Sequence, residues 1–227
     1  MDYGECKAKR ISSKGEREES SIREILDGAS SVARGVLESI QKIAGTTYCK
    51  GVQIHELYKY AVANGFFIQS IDNLGTFSDR GSENEVYMSF DNKYVYKLND
   101  FRYSDDNLTS FFERIYIHNR LFPDCEYQLY GFAYNKSDKF CAVLRQPFIH
   151  ALREATEQGI ATQLINMGFA PEMDGSFFSN GTYDIFDALP NNVLVGKDNH
   201  LYFIDTIIYK SDSSNISKYK SLSPRFM

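Results

Sequence analysis

Residues 186–205, FDALPNNVLVGKDNHLYFID, carry an Asp near one end, an Asp at the other and an Asn between them. Asp187 and Asn192 stand in a D-x-x-x-x-N run, and Asn192 leads directly into the apolar stretch VLV. The polar turn GKDN then reverses the chain into HLYFI, which predicts two short antiparallel strands. Such a pair returns Asp205, at the end of the second strand, to Asn192 at the start of the first. An ordinary loop also accounts for DALPNN, because Asp, Asn and Pro are common turn residues. The chemical reading is more specific. An amide oxygen from Asn192 and a carboxylate from Asp205 are hard ligands suited to magnesium, which keeps several waters and binds few protein groups beside substrate phosphates. Asp187 next to them would serve as base or orienting group for a hydroxyl nucleophile.

Upstream segments supply what a phosphate requires. Lys97 lies inside the apolar stretch KYVYKLN, where an ammonium is costly to desolvate without a partner, and Glu113 on the amphipathic stretch FFERIY is a suitable one. GSENEVY places Gly81 in a turn ahead of a strand, with Val86 as an apolar residue able to cover a flat base. Each has a plainer alternative: a lysine with its head in water, a solvated helical glutamate, a glycine that only makes a turn.

The bulk properties limit the remaining choices. A chain of 227 residues, 43% hydrophobic and 15% aromatic, is long enough and apolar enough to fold around one large core or two small ones. A net charge of -5 argues against nucleic acid as the default partner, and the alternating charges of KAKRISSKGEREE make a poor nucleic-acid arm. No apolar run reaches a membrane-spanning length of about 18 residues, and the polar start lacks the apolar stretch of a secretory signal, so a cytoplasmic protein is expected. The four cysteines, Cys6, Cys49, Cys125 and Cys141, form no C-x-x-C pair and point to reduced thiols, not zinc.

Along the chain, residues 1–20 are too polar to bury a face and are expected to form a disordered arm. Two helices follow in 21–65, the first starting at the capping box SIRE and the second, VQIHELYKYAVANG, stopping at Asn64-Gly65. Their apolar stripes are expected to pack on the next domain. FFIQSI, NEVYMSF and KYVYKLN then predict a meander, DNLTSFFERIYIHNRLF a helix, and YQLYGFAYN and KFCAVLRQPFI two more strands. ATEQGIATQLINMG predicts another helix, and residues 210–227 a polar tail.

Taken in order, GSENEVY, VYKLND, the helix with Glu113, LRQPFI, DALPNN and FID resemble the protein kinase-like fold. More narrowly, they resemble the kinase domain found in polyvalent proteins of phages and mobile elements. The resemblance covers about residues 70 to 209. It implies an α+β fold: an N-lobe over 66–148 with a small antiparallel sheet and one helix, and a reduced C-lobe over 149–209. It also implies ATP and Mg2+ as cofactors and a phosphoacceptor, a protein hydroxyl or the protein itself. Lys97 would hold the α and β phosphates and pair with Glu113; Asp187 would be the catalytic-loop Asp; Asn192 and Asp205 would be the magnesium ligands. Gly81 and Val86 would line the nucleotide, with Gln146 and Phe148 of LRQPF at the adenine hinge. Several positions depart from the kinase pattern. Phe186 stands where most protein kinases have Arg, Leu189 where they have Lys, Thr206-Ile207 where Phe-Gly follows the metal-binding Asp, and the phosphate loop keeps one glycine. These departures keep open an alternative: a pseudokinase-type nucleotide-binding or scaffolding module without phosphotransfer.

Overall fold

The computed structural model of the chain describes residues 3–81, 84–102, 104–173, 175 and 177–222. It is a mixed α/β structure with small antiparallel sheets and several helices, divided into two compact units. The first comprises Met1–Phe112 with Tyr127–Gln146, the second Glu113–Glu126 with Pro147–Met227.

The first unit begins with α1 (Tyr3–Ala44) and α2 (Lys50–Ala63). The backbone is helical from Tyr3, ahead of the expected start at Ser21, through the stretch read as an arm. Its Lys, Arg and Glu are good helix formers but leave no apolar periodicity to read. Beyond α1 and α2, Gly45 and Gly65 adopt left-handed φ of 63° and 72°, conformations that glycine takes without a Cβ penalty. Ile25, Leu26, Ala29 and Ala33 of the predicted stripe are buried, whereas Ile43 near the end of α1 is exposed. The helices approach closely at Gly28, where a Cβ would stand 2.1 Å from Tyr60 Oη. Gln53, buried on α2, donates its Nε2 to the Ala33 carbonyl at 2.7 Å and accepts from the Leu108 N–H at 2.7 Å, so one amide joins three segments.

Five strands follow: β1 (Thr76–Arg80), β2 (Asn84–Met88), β3 (Tyr94–Asn99), β4 (Gln128–Tyr134) and β5 (Phe140–Pro147), in the order β1-β2-β3-β5-β4. The stretch FFIQSI, expected as a strand, contributes only an isolated bridge from Phe67 to Phe132 before a 3-10 turn at Ile71–Asn73. The first strand of the meander is instead β1, whose residues TFSDR are all exposed and show no alternation to read. Between β3 and β4 runs α3 (Thr109–Leu121), with the Asn107 side chain accepting from the Thr109 N–H at 3.1 Å. The boundary between the units falls within this helix.

The second unit carries β6 (Ala151–Glu154), α4 (Glu157–Asn166), β7 (Ala170–Pro171), β8 (Phe178–Ser179), β9 (Tyr183–Phe186), β10 (Val193–Gly196), β11 (Leu201–Phe203), β12 (Ile207–Lys210) and α5 (Asn215–Leu222). They form a three-stranded sheet, β11-β10-β6, and a four-stranded sheet, β12-β9-β8-β7. Ile160 and Leu164 of α4 pack with Phe178, Ile185, Val193, Phe203 and Ile208 in one core. The expected polar tail contains α5. Its Asn215 is buried and donates Nδ2 to Asp184 Oδ2 at 2.7 Å and to the Lys210 carbonyl at 2.8 Å, an anchor that composition does not display. Among the described residues, no helix is long and apolar enough to cross a membrane.

Candidate functional site

In the second unit the chain crosses twice between its two sheets, at one place. It leaves β9 at Phe186, turns through a 3-10 helix at Pro190–Asn192, and enters β10 at Val193. It leaves β11 at Phe203 and enters β12 at Ile207. Register locks the crossings together, because Phe186 lies opposite Ile207 and Val193 opposite Phe203. The Ile204 N–H also donates to the Asn192 carbonyl at 2.9 Å. Asp187 and Asn192 therefore bound one crossing, and Asp205 lies in the other.

Asp187 takes a left-handed φ of 56°, an uncommon backbone for a non-glycine residue. The Asn192 side chain holds it there, donating Nδ2 to the Asp187 carbonyl at 2.9 Å and to its Oδ2 at 2.8 Å. Two oxygen acceptors fix which way the amide points, so Asn192 Oδ1 faces away from Asp187, with the Asn191 amide donating to it at 2.9 Å. Burial pushes the Asp187 carboxyl above its ordinary range, the Asn192 hydrogen bond pulls it partly back, and the charge of Asp205 raises it further. Asp205 itself is exposed.

This donor set fits a hard divalent cation. The Asn192 amide oxygen and the exposed Asp205 carboxylate are hard oxygen ligands, and the Asp187 carboxyl, raised by burial and by the charge of Asp205, would be relieved by positive charge. No group of three or more His, Cys, Asp and Glu is gathered to hold a metal among the described residues, so a cation here would depend on Asn192 and on oxygens from a substrate.

The departures have structural counterparts. Phe186 is buried and meets Phe177 edge-on at 4.9 Å, with Tyr209 tilted against it at 5.6 Å, so an aromatic cluster occupies the place of a cation. Thr206 is buried, and its hydroxyl has no hydrogen-bond partner among the described residues. Glu113 pairs with Lys210 of β12, a partner the sequence does not suggest, and both side chains are exposed.

In the first unit, Lys97 of β3 lies opposite Val86 of β2 and is only 7% exposed. Its ammonium stands 3.4 Å from the Tyr127 hydroxyl and 5.3 Å from the centre of that ring. Tyr127 is thus a neighbour of the candidate phosphate ligand, though nothing in the sequence separates it from the chain's other tyrosines. Gly81 closes the β1–β2 turn through its N–H to the Asn84 carbonyl at 2.9 Å. Among the described residues, the nearest atom a Cβ there would meet is the Asn84 carbonyl oxygen, at 3.8 Å. Gln146, at the end of the first unit, is buried. Phe148, in the second, is half-buried and edge-on to His150 at 4.9 Å.

A family model described as a serine/threonine/tyrosine kinase found in polyvalent proteins matches residues 50–212. No curated protein matches the chain. The matched span opens at the first residue of α2 and closes just beyond β12, taking in every site residue described above. Covering more than two thirds of the sequence, it establishes that the chain belongs to the kinase family of polyvalent proteins.

Proposed function

We propose that the protein is an ATP- and magnesium-dependent phosphotransferase that acts on a protein hydroxyl or on itself. The observation that carries this reading is the brace between Asp187 and Asn192 beside Asp205: a base candidate held in an unusual backbone conformation next to two candidate oxygen ligands. In this scheme Asp187 accepts the proton of the attacking hydroxyl as its oxygen bonds to the γ phosphorus and the bond to the β-γ bridging oxygen breaks, with ADP leaving. Asn192 and Asp205 hold magnesium, which when bound neutralises charge on the phosphates. Lys97 contacts the α and β phosphates. Val86 covers the base, the backbone at Gly81 approaches the phosphates, and Gln146 and Phe148 meet the adenine edge.

The test is magnesium-dependent ATP consumption or autophosphorylation by purified protein. Asp205→Ala should abolish it while the circular dichroism spectrum persists, and Lys97→Ala should weaken ATP binding or turnover. Full activity in both variants would refute the assignment. The second reading, a nucleotide-binding or scaffolding module without transfer, draws on the loop from Phe186 to Asn192, which contributes no cation where a transferred phosphate develops charge. Thermal stabilisation by ATP and magnesium with no phosphate transfer to any offered acceptor would favour it.

A further inference from the structure

Asp205 lies just past the end of β11, and β11 is an edge strand of its sheet. An edge strand turns one row of backbone groups away from its neighbour, and a buried carbonyl in that row needs a donor from elsewhere. At Phe203, two residues before Asp205, the donors are side chains. His118 of α3 is 2% exposed, and its Nε2 lies 2.9 Å from the Phe203 carbonyl. A carbonyl only accepts, so Nε2 carries the proton and donates. The buried Cys125 thiol donates to the same oxygen at 3.1 Å. The Phe203 ring lies flat on Phe122, centroids 4.3 Å apart and planes 11° from parallel. The last residue of β11 is therefore gripped by backbone and by ring, from the helix that carries Glu113 and the turn that follows it.

We propose that His118 is a positioning residue for Asp205: its bond to the Phe203 carbonyl sets where the strand ends and so where the metal-binding carboxylate stands. The role of Asp205 rests on the phosphotransferase reading, whereas the grip on the strand does not. His118 touches neither nucleotide nor metal in this scheme. Its effect passes through three residues of backbone, and the Ile204 N–H bond to Asn192 carries the same position to the second ligand.

Two readouts test the proposal in the 227-residue chain. In His118→Leu, amide hydrogen exchange across residues 201–206 should quicken about tenfold more than in Phe178→Leu, a substitution in the core that Phe203 shares, which lowers stability but leaves the His118 bond to the Phe203 carbonyl in place. The additional thermal shift that magnesium gives with ADP should disappear in His118→Leu, while the shift from ADP alone stays. His118→Gln, whose amide nitrogen reaches about as far as Nε2, should restore both. If the leucine variant does not fold, His118→Asn, one methylene too short to reach, takes its place against His118→Gln. Equal exchange at 201–206 in His118→Leu and Phe178→Leu, or a retained magnesium increment, overturns the proposal. A wild type that shows no magnesium increment with ADP overturns the metal role together with the phosphotransferase reading, and the exchange comparison then shows separately whether the grip exists.

Discussion

Asp100 in the first unit and Asp187 in the second are both carboxylates drawn out of water, and their surroundings move them in opposite directions. Burial would raise Asp100, but the Arg102 guanidinium grips both oxygens at 2.6 to 3.0 Å, the Arg102 N–H adds a further bond and Lys139 stands 3.7 Å away, so its carboxyl is held below the usual range. Burial likewise raises Asp187, which receives a neutral amide from Asn192 and a second negative charge nearby, and ends above the usual range. The first acid has been supplied with cations from its own chain and serves the fold. The second is held in place but, among the described residues, is supplied with no cation, an arrangement that costs stability and is expected where positive charge arrives with a ligand.

The largest effect should come from removing the Asp187 charge while keeping its shape. Asp187→Asn can still accept the Asn192 hydrogen bond but cannot take a proton, so turnover should fall by about 10²- to 10⁴-fold. Stability should move the other way. A folded-state pKa above the unfolded one means the folded chain binds the proton more tightly. Wild-type stability then declines as pH rises from the unfolded value of about 3.9 through the folded one. Above that window the wild type carries the whole penalty and the Asn variant none. In EDTA at neutral pH the variant should therefore melt at a higher temperature, and the gap should close toward pH 4. A lower melting temperature would show that the fold needs this charge, and the contrast with Asp100 would collapse.

Asp100→Asn is the mirror experiment. Here the folded pKa is depressed, so the stabilisation is present above the unfolded value and is lost as pH falls through the folded one. At neutral pH the loss of charge-assisted bonds to Arg102 should cost about 1–3 kcal/mol in urea unfolding, with no loss of turnover. The difference between variant and wild type should shrink on acidification. A difference that persists unchanged into acid would place the effect in packing instead of charge.

The same two regions differ in how far sequence exposes them. β2 to β5 and α3 are long enough for alternation or helical periodicity to register, and the GKDN turn brings Asn192 and Asp205 together by antiparallel pairing alone. β7 and β8, of two residues each, are too short to carry a period, and β1 has no buried face at all. At the site, the pairing of Phe186 with Ile207 joins strands separated by a whole hairpin, so the second lock on Asp187 and Asp205 was not legible. Nor were Tyr127 beside Lys97, Lys210 against Glu113, or His118 beneath Phe203, because each depends on a long-range approach that local pattern does not encode. The buried Phe186 was legible as a departure but not as the centre of an aromatic cluster.

The smallest effect sharpens the comparison at one hydroxyl. In the first unit a buried polar side chain, Gln53, has partners for its carbonyl and its amide nitrogen, while in the second the Thr206 hydroxyl, next to Asp205, is buried without one. Valine has the same shape and removes only the unsatisfied group, so Thr206→Val should raise stability by about 1 kcal/mol. Thr206→Ser keeps the hydroxyl and opens a methyl-sized void, and should lower stability by about 1 kcal/mol. Turnover then decides what the hydroxyl is for. A more stable Thr206→Val variant of unchanged rate would make Thr206 a tolerated filler behind Asp205. A more stable enzyme that transfers phosphate more slowly would mean the hydroxyl finds its partner only with substrate bound, the same exchange of stability for readiness that Asp187 makes with charge.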